Sequence, residues 1–123
     1  MKLTLDSADE RYQIQAFKPG EITVNHQPYQ DSLIVCSDRL IPEWPVSAIE
    51  ELSETHLAPL ADLQVEIVLL GTGARLRFPH PSITGSLAEC GIGVEIMDAA
   101  AACRTYNVLL SEGRAVAAAL IIE

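Results

Sequence analysis

Basic residues are scarce in this chain: Lys and Arg number 8 against 17 Asp and Glu, and its lysines are Lys2 and Lys18. Protein affinity for nucleic acid comes mostly from neutralising phosphates, so a formal charge of −9 disfavours nucleic-acid binding and attraction to anionic membranes alike. Cysteine is thin as well. Cys36, Cys90 and Cys103 form an odd, widely spaced set without a Cys-x-x-Cys pair. That pattern excludes a disulfide framework, and the apolar stretch around each one predicts three reduced core thiols. No apolar run approaches the roughly 18 residues of a membrane span, so membrane insertion is not expected. The opening residues MKLTLDSADER place acids where a secretory signal needs a positive end and an apolar core. The expected location is the cytoplasm.

The chain is nevertheless rich in core-forming residues. It is 49 % hydrophobic and 20 % charged over 123 residues, and a chain of this size buries roughly two thirds of its unfolded surface. No repeat, low-complexity tract or dividing linker interrupts it, so a single domain over residues 1–123 is expected. Its acidity favours solubility and a basic partner protein.

From Tyr12 to Cys36 the texture is one of short strands and turns. Tyr12, Ile14 and Ala16 alternate with Gln13, Gln15 and Phe17 until Lys18-Pro19-Gly20 breaks the run. Residues 21–24 are expected to pair across Asn25-His26, and residues 32–36, SLIVC, read as a strand buried on both faces. Two prolines make Ile41-Pro42-Glu43-Trp44-Pro45 a connector anchored by Trp44. Beyond it, Ser47 with Glu50, then Ser53 with Thr55, mark two short helical pieces.

The second half reads β-α-β-α-β. Val65-Glu66-Ile67-Val68-Leu69-Leu70 is a buried strand ending at Gly71, and Pro81 opens a helix running to Cys90 with Gly91 as its stop. A strand over Val94-Glu95-Ile96-Met97 follows. Asp98 caps a helix through Glu112, Gly113 ends it, and residues 115–122 form the last strand. Helices between buried strands imply crossover connections and a sheet covered on both faces. The expected fold is α/β: three layers around a mixed central sheet, with extra antiparallel strands from the N-terminal third.

Two features draw attention as sites. Gly71-Thr72-Gly73 follows a strand where a dinucleotide fingerprint would begin, but Leu76 occupies the next glycine position and no helix starts there, which leaves a tight structural turn as the main reading. The second feature is Glu95, Asp98 and Arg104 in apolar surroundings. The helix carrying Arg104 reads as largely buried, and a buried guanidinium must find a carboxylate, bind an anion or escape to water. Glu95 is one partner, Asp98 and a bound anion are others, and solvent at the sheet edge is the fourth outcome. No nucleophile–base pair stands out, and His26, His56 and His80 lack metal-ligand spacing, so no catalytic residue, metal or cofactor is expected.

The run Gly91-Ile92-Gly93-Val94-Glu95, Met97-Asp98, Ala100-Ala101-Ala102-Cys103-Arg104-Thr105-Tyr106-Asn107-Val108-Leu109 and Glu112-Gly113-Arg114, with Gly71-Thr72-Gly73 before it, resembles a family of small proteins of unknown function. That family occurs in bacteria, archaea and mitochondria, and its eukaryotic members include a mitochondrial respiratory complex I assembly factor and the adipogenesis-associated domain protein. The resemblance implies a three-layer α/β fold and no established catalytic activity. Where a hydroxyl residue would follow the Asp, this chain has Ala99, which weakens a ligand-handling role there.

The expected function is thus a non-enzymatic binding or assembly-assisting protein with a protein partner, its oligomeric state left open. The alternative is a small-molecule or anion binder, or an enzyme, using a strand-end crevice near Asp98 and Arg104. The candidate residues are Gly71, Thr72, Gly73, Glu95, Asp98, Arg104, Thr105 and Asn107.

Overall fold

The computed structural model describes residues 11–123; the opening residues before Arg11, whose acids speak against a secretory signal, lie outside it. Strands β1 (Ile14–Lys18), β2 (Glu21–Val24) and β3 (Gln27–Tyr29) form an antiparallel sheet in that order. Asn25 and His26 both adopt positive φ, 47° and 71°, the geometry of a two-residue turn whose twist matches that of its flanking strands. Pro28 cannot donate to a ladder and sits in the edge strand, where that costs least.

The larger sheet has the order β5-β4-β8-β6-β7, with β4 (Leu33–Cys36), β5 (Arg39–Ile41), β6 (Ile67–Gly71), β7 (Gly93–Met97) and β8 (Val116–Leu120). Strand β6 runs parallel to both β7 and β8, while β4 is antiparallel to β5 and β8, so the sheet is mixed as expected. SLIVC is therefore a strand of the central sheet and not of the N-terminal one. Strand β5 is an addition that three residues ahead of Pro42 did not announce.

Helices cover both faces. On one side Ile34, Val68, Leu70, Ala117 and Ala119 pack against α1 (Glu54–Ala61), α2 (Pro81–Glu89) and Trp44. On the other, Leu33, Val35, Leu69, Ala118 and Leu120 meet α3 (Ala99–Ser111) and the three-stranded sheet through Ile14, Ile22 and Val24. Consecutive residues of β4, β6 and β8 thus serve opposite cores, as the two-residue period of a strand requires.

The connector over residues 41–45 is tied down by Trp44, whose indole Nε1 donates to the His56 carbonyl at 2.9 Å and whose amide donates to Ser32 O at 2.8 Å. The two short helical pieces are a 3₁₀ turn, Ile49–Glu51, and α1. Ser53 caps α1 in a reciprocal box with His56, whereas Ser47 is no cap: its amide donates to Glu51 Oε1 at 2.9 Å. His80 caps α2, with Pro81 in its first turn. Among the described residues no helix is long and apolar enough to cross a membrane.

Candidate functional site

Because β6 and β7 are parallel neighbours, the loops leaving their carboxyl ends lie together, and the Gly71–Gly73 turn meets the start of α3. Thr72 N–H donates to Met97 O at 2.9 Å, and Ala99 N–H donates to Gly73 O at 2.8 Å. Asp98 accepts from Ala101 N–H at 2.8 Å as the N-cap of α3. The amides that an anion would seek at this helix start are thereby partly consumed by the protein itself.

The glycines are dictated by space. A β-carbon on Gly71 would stand 2.9 Å from Leu120 Cδ2 and 3.1 Å from Ala99 Cα. Gly73, at φ +96°, lies against the Glu123 carboxylate, which also accepts from Ala74 N–H at 3.3 Å. Thr72 is buried and faces inward: its hydroxyl donates to Arg75 O at 2.6 Å and accepts from Arg77 N–H at 3.1 Å. The Gly-Thr-Gly segment is a structural turn that shapes the loop after it.

The Glu95–Arg104 bridge does not form, and α3 is less buried than its composition suggested. Glu95 is exposed because β7 is the edge strand of its sheet, so apolar flanks in sequence do not amount to burial. Helix α3 buries the stripe Ala99, Ala102, Cys103, Tyr106 and Leu110 and leaves Arg104 and Val108 exposed. Arg104 makes no ion pair among the described residues. It rims an open depression of about 260 Å³ between α3 and β1, with Gln15, Phe17, Ala100, Cys103 and Asn107 around it. Thr105 is half-buried outside that lining.

Asn107 has a structural task that sequence reading missed. Its amide oxygen accepts from Ile14 N–H at 3.1 Å and its Nδ2 donates to Ile14 O at 2.5 Å, while Tyr106, fully buried, donates its hydroxyl to Tyr12 O at 2.7 Å. The pair fastens the outer edge of β1 to α3, and its only sequence signal is two polar-tipped side chains inside an apolar helix.

Two of the three thiols are core residues as expected. Burial pushes Cys103 up to about 12 and also raises Cys36, so both stay protonated at neutral pH. Cys90 corrects the third: it ends α2 on the exposed side. Among the described residues no group of three or more His, Cys, Asp or Glu side chains is placed to hold a metal.

Comparison with known proteins agrees with this architecture. A family described as "Protein of unknown function (DUF498/DUF598)" matches residues 14–121. NADH dehydrogenase (ubiquinone) 1 alpha subcomplex assembly factor 3 of Danio rerio is 41 % identical over 110 residues, covering 88 % of this chain and 63 % of that protein. The chain thus spans less than two thirds of that assembly factor. A "13 kDa major membrane protein" of Francisella tularensis is 29 % identical over 103 residues, covering 83 % of this chain and 84 % of that one. A solved Xanthomonas campestris protein superposes with a TM-score of 0.83 at 40 % identity, covering 99 % of this chain and 92 % of that one. The chain belongs to the DUF498/DUF598 family of proteins of unknown function.

Proposed function

We propose that this chain is a non-enzymatic, cytoplasmic assembly-assisting protein that acts by binding a protein partner. The likeness to a respiratory-enzyme assembly factor over 88 % of the chain carries the reading. The chemistry of the site supports it: Thr72, Asp98 and Asn107 direct their polar atoms at the protein's own backbone. The test is native gel electrophoresis of respiratory membranes from cells lacking the chain. Reduced assembled NADH dehydrogenase, with its subunits still synthesised, is expected; unchanged assembly would overturn the reading.

One observation favours a second reading, an anion-bearing small molecule held by Arg104. The guanidinium has no partner among the described residues and stands beside an apolar depression containing Phe17 and Ala100. A ligand at about 100 times its dissociation constant stabilises by about 2.7 kcal/mol, so a thermal-shift screen of carboxylates and phosphates tests it. A rise in melting temperature that Arg104→Ala abolishes would support it, and a flat screen would dismiss it.

A further inference from the structure

The described residues leave three large apolar side chains exposed, Phe78 at 72 %, Val108 at 53 % and Leu76 at 50 %. Two of them share one loop, in the run Ala74-Arg75-Leu76-Arg77-Phe78-Pro79 between β6 and α2. That loop has a fixed shape. Thr72 holds both its Arg75 carbonyl and its Arg77 amide, Arg77 is ion-paired with Glu50, and Pro79 and Pro81 restrict the chain where it enters α2. Phe78 is therefore displayed on a braced support, so docking it requires little further ordering.

Charge narrows what it meets. The protein carries −9 overall, yet this loop concentrates two of its eight basic residues, and Arg75 makes no ion pair or side-chain hydrogen bond among the described residues. An exposed phenylalanine three residues from an unpaired guanidinium in the same loop matches an apolar cleft with an acidic rim.

We propose that residues 74–79 are a docking knob: Phe78, flanked by Leu76, inserts into an apolar cleft of a partner protein whose acidic rim meets Arg75. This rests on the protein-partner reading above and names the surface that reading requires.

Photocrosslinking in the host cell tests it, with p-benzoylphenylalanine introduced at Phe78 and, as a control on the other side of the central sheet, at Val108. The expected result is a crosslink from position 78 to another polypeptide at a peptide rich in Asp and Glu beside apolar residues. Arg75→Glu should lower its yield severalfold, and Phe78→Ser should weaken co-purification of the same polypeptide about thirtyfold, the loss typical of a hot-spot side chain. Both variants alter exposed side chains, and a thermal melt verifies their fold. Crosslinks from Val108 to a partner with none from position 78 would overturn the knob and leave the partner reading standing. Crosslinks from 78 to phospholipid or to a second copy of this chain would overturn the knob as stated. No polypeptide captured from either position would overturn both readings.

Discussion

The side-chain amide of Asn107 pairs with both backbone groups of Ile14, accepting from its N–H and donating to its C=O across 93 positions of sequence. Both Ile14 groups point away from β2, so Asn107 takes the place of a further strand at the edge of the N-terminal sheet. Replacing it with alanine leaves a partly buried donor and acceptor unmet. Asn107→Ala should therefore cost about 1–3 kcal/mol, read from urea titration as a lower midpoint with an unchanged slope. A wild-type midpoint would contradict the assignment.

Gly71 and Gly85 should respond to alanine with opposite signs. At Gly71 the new methyl group meets Leu120, Ala99 and Ala102 at 2.9–3.2 Å, so overpacking should destabilise by about 1–3 kcal/mol. At Gly85, inside α2, nothing lies within 4 Å, and the gain in helix propensity should stabilise by about 0.5–1 kcal/mol. Thermal melts of the two variants side by side check the prediction.

Alkaline pH should weaken the fold through α3. Cys103 is raised by burial from its ordinary 9.0 to about 12, and burial raises the Tyr106 phenol as well. Above the ordinary thiol value the unfolded chain loses protons that the folded chain retains, so stability falls as pH rises. The contribution is fully present below pH 9 and is lost progressively toward 12. Urea midpoints at a series of pH values should fall over this window, and Cys103→Ala should make that fall shallower.

The thiols should also separate by access. Cys90 is exposed while Cys36 and Cys103 are buried, so iodoacetamide under native conditions should label Cys90 first and the other two only on unfolding. Peptide mapping that finds Cys103 labelled as fast as Cys90 would contradict the packing of α3.

Local signals were legible wherever the cause is local. Asp98 before an alanine run, Gly113 after it and the Asn25-His26 turn all act within a few residues, and each lies where the sequence placed it. The unbroken apolar runs of β4, β6 and β8 likewise reported burial on both faces. What stayed hidden depends on distant partners. Glu95 looked buried from its neighbours, but exposure follows from β7 being an edge strand, a property of strand order. Tyr106 and Asn107 acquire their roles from β1, which no spacing within α3 reveals. Arg104 then follows, since the stripe that faces the sheet leaves it outside.

If this chain assists assembly by docking a partner through the loop that presents Phe78, both the chain and that side chain are needed for assembly. Assembled NADH dehydrogenase, quantified on native gels of membranes from cells lacking the chain and supplied with wild type or Phe78→Ser, tests this. The wild type should restore assembly, while Phe78→Ser, with a wild-type thermal melt, should not. Full assembly in cells without the chain, or equal rescue by both forms, would contradict docking through Phe78.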